Sequence, residues 1–156
     1  MIFCIPEIAK KVDSAVFPYA QGGSLMNEIA GKAVTAEEAL RPEFKTYAQM
    51  VVTNAKIMAE EFVKMGYDVV TGGTDNHMFL LDFSKTHPNL TGKMVQDELD
   101  YHGITLNKNS VPNEQRSPMQ TSGVRIGTPA QTTLGYGPKD FIKVAHMIDE
   151  IIENMK

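Results

Sequence analysis

In the stretch SGVRIGTPA, residues 122–130, one arginine stands between two apolar residues, with a glycine two positions to either side. Strand alternation sends the Arg125 side chain to the face opposite Val124 and Ile126, while Gly123 and Gly127 leave space beside it. A planar guanidinium in that setting holds a carboxylate through two parallel hydrogen bonds, more selectively than a lysine would. Spacing alone also admits, and on its own favours, a solvated or ion-paired arginine on a sheet face. A second candidate is the pair Gly22–Gly23 in YAQGGS, placed directly before a helix start. Free backbone N–H groups and the helix dipole favour an anion there, and glycine lets a phosphate come close. The plain alternative is a turn that needs positive φ.

Other residue types offer less chemistry. His77, His87, His102 and His146 stand at no metal-ligand spacing with one another, with Cys4 or with a carboxylate, so no metal site is expected. His77 reads as a hydrogen-bonded structural residue. The single cysteine, Cys4, forms no internal disulfide and reads as a small buried apolar residue. Lys108 shows no sign of desolvation, so neither it nor Cys4 is a nucleophile candidate. Neither a phosphate-binding G-x-x-x-x-G-K-[ST] nor a G-x-G-x-x-G is present. A net charge of −4 without a block of either sign argues against nucleic acid as a partner. No apolar run reaches membrane-spanning length and no secretory leader is visible, which points to the cytoplasm and away from a membrane.

The elements that must position these residues follow from periodicity. Met1–Ile5 reads as a buried strand cut at its start, and 6–18 as a short helix with Ile8, Ala9 and Val12 on one face. Ser24 is suited to cap a helix running to about Leu40, rich in the small residues Ala30, Gly31, Ala33, Ala36 and Ala39. Pro42 starts the best-marked helix, where apolar residues from Phe44 to Met65 recur at steps of three and four, and Gly66 ends it. YDVVT and HMFLLDF read as strands joined by the turn GGTDN. Thr91 caps a helix, with Leu90 and Val95 spaced as a hydrophobic staple, and Gly103 stops it. ITL and VRI read as two further short strands, flanking a polar loop at 107–123 that is expected to be mobile. A last helix begins at Pro138. This order predicts an α/β chain with an α+β small domain, in which helices cover one face of a mostly antiparallel sheet. Residues 1–41 form a helical lead-in and residues 42–156 the small domain.

SAVFPYAQGG, GGTDNH, GITLNKNSVPNEQRSP and TSGVRIGTPA, in this order and spacing, resemble the C-terminal part of serine hydroxymethyltransferase. The resemblance runs over essentially the whole chain and implies the C-terminal domain of the aspartate-aminotransferase-like fold, with residues 1–41 ending the large domain and connecting it to the small one. It implies pyridoxal 5'-phosphate as cofactor and tetrahydrofolate as co-substrate. The implied reaction converts serine and tetrahydrofolate reversibly to glycine and 5,10-methylenetetrahydrofolate, in a homodimer or a dimer of dimers. Carried across, Arg125 grips the amino-acid carboxylate, and Gly22 and Gly23 reach the cofactor phosphate of the neighbouring subunit. Asn109 bonds the folate ring, and Ser117, Pro118 and Met119 line the folate pocket. Met119 departs from the aromatic residue usual there, as do Tyr19, Ala20 and Asn27 from common forms around the glycine pair.

The same resemblance places the Schiff-base lysine before Met1, together with the acid at the pyridine nitrogen and the residue stacked on the ring. No catalytic residue is therefore assigned within the chain, and a fragment inactive by itself is expected. The alternative is a stand-alone interaction or regulatory module derived from that domain. Such a module would have no need to keep Gly22, Gly23, Asn109 and Arg125. Another pyridoxal-phosphate enzyme of the same fold would share the arginine but not the NKNSVPNEQRSP segment.

Overall fold

A computed structural model describes residues 2–155. The chain divides into two compact units, Met1–Arg41 and Pro42–Lys156. In the first, helix α1 spans Pro6–Ser14 and is followed by a wound segment at Ala15–Ala20, which Phe17 interrupts with extended backbone (φ −139, ψ 127) before the cis Phe17–Pro18 peptide. The helix expected to reach Pro18 thus stops earlier, because proline lacks the N–H that continuation would need. Helix α2 spans Met26–Leu40 with Leu25 as its N-cap residue, so Ser24 does not cap it. The strand expected at Met1–Ile5 does not form over residues 2–5, which are exposed and carry no regular structure; Met1 lies outside the described residues. Cys4 is likewise exposed rather than buried. None of these helices buries a residue within the unit, so no core fixes either the strand or the cysteine.

The second unit has a full core. Helix α3, Pro42–Lys64, buries Val51, Asn54, Ala55, Met58, Ala59 and Phe62, one stripe at helical spacing. Gly66 at φ +91 closes it: Tyr67 N–H donates to the Phe62 carbonyl at 3.0 Å and Gly66 N–H to that of Val63 at 3.0 Å, the paired bonds of a left-handed helix stop. Strands β1 (Asp68–Val70) and β2 (Met78–Asp82) follow, then the short helix α4 (Phe83–Thr86) and helix α5 (Gly92–Tyr101). The Thr91 hydroxyl accepts from Met94 N–H at 3.1 Å, and Leu90 and Val95 both lie in the core. Strands β3 (Asn107–Asn109) and β4 (Gly123–Gly127), helix α6 (Pro129–Thr133) and helix α7 (Pro138–Glu153) complete the unit.

The sheet order is β1-β2-β4-β3, with every pairing antiparallel. Its inner face carries Val69, Phe79, Leu81, Val124 and Ile126, all buried, beneath α3, α5 and α7. Phe62 meets Tyr67 edge-on at 5.3 Å between ring centroids, and the Tyr67 hydroxyl donates to Asp149 Oδ1 at 2.8 Å, tying the start of the sheet to α7. Burial, reinforced by that carboxylate, pushes the Tyr67 phenol far above its ordinary pKa. The third strand differs from its expected place: pairing begins at Asn107, not over ITL, and takes in NKN from the segment read as a loop. Leu106 and Ile104 instead turn toward the core. Helix α6 has no signature in the sequence, because PAQTT has no apolar period long enough to show.

Candidate carboxylate-binding site

The face of the sheet away from the helices carries the candidate residues. Arg125 is exposed on β4 between Val124 and Ile126, both buried, so strand alternation places it as expected. In the register, Arg125 stands opposite Leu80 on one side and Asn107 on the other, and Asn109 stands opposite Gly123. Residues directly opposed across antiparallel strands share a face, so Arg125, Asn107 and Asn109 lie together. The Arg125 Nη2 donates to Asn107 Oδ1 at 3.3 Å, a long bond to a neutral oxygen. No carboxylate of the described residues pairs with this guanidinium, whereas Arg41 holds Glu37 at 2.7 Å. The ion-paired reading of Arg125 is thereby removed. Its fork stays available to an incoming acid, with Asn107 steadying one arm.

Asn109 is half-buried and donates to the Ser110 carbonyl at 2.7 Å, which leaves its side-chain oxygen as acceptor. Beyond it the chain is braced rather than shapeless. The Glu114 carboxylate accepts from Ser122 Oγ and Ser122 N–H, each at 2.7 Å, from Arg116 N–H at 2.9 Å and from Val111 N–H at 3.4 Å. Burial works to raise the Glu114 pKa, but these four donors outweigh it and push the value down to about 2. The Arg116 guanidinium donates to the Leu90 and Pro88 carbonyls, fastening the loop to the start of α5. Ser117, Pro118 and Met119 form the exposed tip, where the Ser117 carbonyl accepts from Gln120 and Thr121 N–H at 2.9 Å each, and Met119 is 71% exposed. Residues 107–123 were read as having little to bury, yet Val111, Thr121 and Ser122 are buried.

A cavity of about 640 Å³ opens beside Arg125, with apolar walls from Ile104, Leu106, Ile126 and Val144. His77 and Gln131 stand at its polar margin. Among the described residues the His77 ring makes no hydrogen bond; it is the backbone carbonyl of His77 that accepts, from Thr128 N–H at 3.1 Å and Thr128 Oγ1 at 3.4 Å, which corrects the reading of its side chain as structurally bonded. Asn107 and Glu114 were missed from the sequence. Register would have found Asn107 once β3 was correctly placed, whereas nothing in NEQRS marks Glu114 as a hub of four bonds.

In the first unit, Gly22 and Gly23 precede α2, whose first-turn amides receive no side-chain cap. Neither glycine has positive φ, so the turn explanation for the pair fails. A Cβ built at either would meet nothing within 4 Å, so no contact in this chain demands glycine there.

A four-stranded antiparallel sheet covered on one face by helices fits the C-terminal domain of the aspartate-aminotransferase-like fold. The serine hydroxymethyltransferase family model matches residues 4–148. The chain is 51% identical over 150 residues to serine hydroxymethyltransferase of Rickettsia canadensis (strain McKiel), and 48% identical over 150 residues to that of Rickettsia akari (strain Hartford). It is 50% identical over 150 residues to a probable serine hydroxymethyltransferase of Rickettsia bellii (strain RML369-C). Each match covers 96% of this chain and 35% of the relative, so the chain spans about a third of the length of these proteins. The chain belongs to the serine hydroxymethyltransferase family.

Among the described residues no helix is long and apolar enough to cross a membrane, and no group of three or more His, Cys, Asp or Glu is placed to hold a metal ion.

Proposed function

We propose that this chain supplies the substrate-carboxylate and folate-facing portion of a serine hydroxymethyltransferase, which interconverts serine and glycine and passes the one-carbon unit to tetrahydrofolate. The observation that carries the reading is the Arg125 fork, exposed on an open sheet face with no carboxylate partner and held by Asn107 at 3.3 Å. It binds and orients the α-carboxylate of serine or glycine. Asn109, on the same face, offers its amide to the polar edge of the folate ring, while Ser117, Pro118 and the exposed Met119 supply a flexible apolar lip for its packing.

The residues present fit the phosphate end of the cofactor. Open glycines beside uncapped helix amides suit a phosphate, and Gly22 and Gly23 would hold that of a neighbouring subunit. When bound, pyridoxal 5'-phosphate supplies the electron sink for bond changes at the amino acid's α-carbon. The first unit favours such an assembly: eleven large hydrophobic residues, among them Phe3, Phe17, Tyr19 and Leu40, are exposed on it, the kind of surface a partner subunit covers.

The covalent lysine and the pocket around the cofactor ring belong, on this reading, to family sequence outside these 156 residues. The chain alone is therefore inactive and holds the cofactor weakly. Mixed with pyridoxal phosphate and serine, it is expected to show no glycine formation and no borohydride-stable pyridoxyl group on a single lysine. Turnover together with one such modified lysine, found by peptide mass mapping, would overturn the reading.

A further inference from the structure

The amino acid assigned to Arg125 is small and polar, yet the cavity beside that residue is large and more apolar than polar in its walls. Strand β3 pairs with β4 only as far as Arg125, so beyond that residue the sheet edge opens at Ile126 and Gly127. The chain leading into β3 lines the gap with Ile104 and Leu106, and α7 closes it from below with Val144 and Met147. The result is an apolar notch of about 640 Å³, a volume ordinary for small-molecule sites. No aspartate or glutamate lines it, and Arg125 is its one permanently charged residue. A largely apolar recess whose lining includes one arginine and no acid is complementary to a molecule with a negative head and a hydrophobic body.

We propose that this notch binds small carboxylic acids carrying an apolar tail, with the carboxylate on Arg125 and the tail against Ile104, Leu106, Ile126 and Val144. The proposal rests on the reading of Arg125 as a carboxylate receptor and adds a ligand class that serine and glycine do not represent. A carboxylate satisfies the fork, and the tail removes apolar wall from water. Both contributions are needed, so an acid without the tail and a tail without the acid each bind less well.

The test is an NMR titration of the isotope-labelled 156-residue chain with 3-phenylpropanoate, 3-phenylpropan-1-ol and propanoate. The methyl groups of Ile104 and Val144 and the side-chain N–H of Arg125 serve as reporters. 3-Phenylpropanoate is expected to move all three reporters and to bind at least about tenfold more tightly than either comparator. Arg125→Gln brings the acid down to the affinity of the alcohol. Met147→Glu puts a negative charge into the wall of the notch and is expected to weaken 3-phenylpropanoate. Both side chains are exposed, so the fold survives either change. Equal binding of acid and alcohol, or shifts confined to other surfaces, overturns the proposal. If propanoate still moves Arg125 while the phenyl tail adds nothing, the notch is refuted and the carboxylate receptor stands. If no carboxylate moves Arg125 in the folded chain, both fall.

Discussion

Arg125 and Glu114 show opposite uses of a charge. The arginine is left almost unpartnered and so remains available, while the carboxylate is saturated by four donors and so becomes structural. A depressed carboxylate pKa stabilises the fold wherever the group would also be ionised in the unfolded chain, and that contribution disappears as the native group takes up its proton. With Glu114 moved from 4.5 to about 2, the contribution is full above pH 4.5 and is lost between there and pH 2. Glu114→Gln is expected to cost about 1.5–3 kcal/mol at neutral pH, the range for hydrogen bonds to a charged group. Melts of the two proteins should differ at pH 7 and converge toward pH 2. A constant difference across that range would refute the ionic account. At this scale the sequence disclosed Arg125 and its orientation, since strand alternation fixes both. Glu114 was illegible because its four donors come from residues brought together only after the loop has closed.

Among the elements, those with long apolar periods or specific end signals could be read in advance. Helix α3 with its Gly66 stop, α5 with its Thr91 cap and α7 all have such marks. Elements settled by tertiary contact could not. NKN becomes a strand because β4 offers it an edge, and ITL loses that role because its apolar side chains are drawn toward the core and the notch. The junction of α5 with the sheet is similarly non-local. Gly92 N–H donates to the Thr121 carbonyl at 3.0 Å, and a Cβ at Gly92 would fall on the Gly123 carbonyl and the Thr121 hydroxyl. Backbone yields little, so Gly92→Ala is expected to destabilise the protein by about 1–3 kcal/mol, as overpacking at a tight contact does. Urea titration measures this, and a loss below about 0.5 kcal/mol would show that the junction relaxes freely.

The molecule as a whole joins two unlike parts. Among the described residues every buried hydrophobic one lies between Val51 and Ile152, so Pro42–Lys156 has a core of its own, whereas none is seen in the unit that precedes it. A protein of residues 42–156 is expected to melt cooperatively as a monomer, and the 156-residue chain to self-associate with rising concentration through its exposed apolar residues. Circular dichroism and light scattering check the two expectations; a non-cooperative melt of 42–156 would contradict the first, and a 156-residue chain monomeric at all concentrations the second. The fold class was legible at this scale because the order of elements after Gly66 admits few topologies. The bare lead-in was not, because an apolar sequence says that a surface must be covered and not by which chain.

The order β1-β2-β4-β3 also has a consequence for biosynthesis. When β2 leaves the ribosome its partner β4 has yet to be made, for 40 residues separate Asp82 from Gly123. At about 5–20 residues per second, the nascent chain presents a raw hydrogen-bonding edge for several seconds. The strand that bears Arg125 is the one that seals it, so the exposed guanidinium takes its place in the same event that makes the newborn sheet safe from its neighbours.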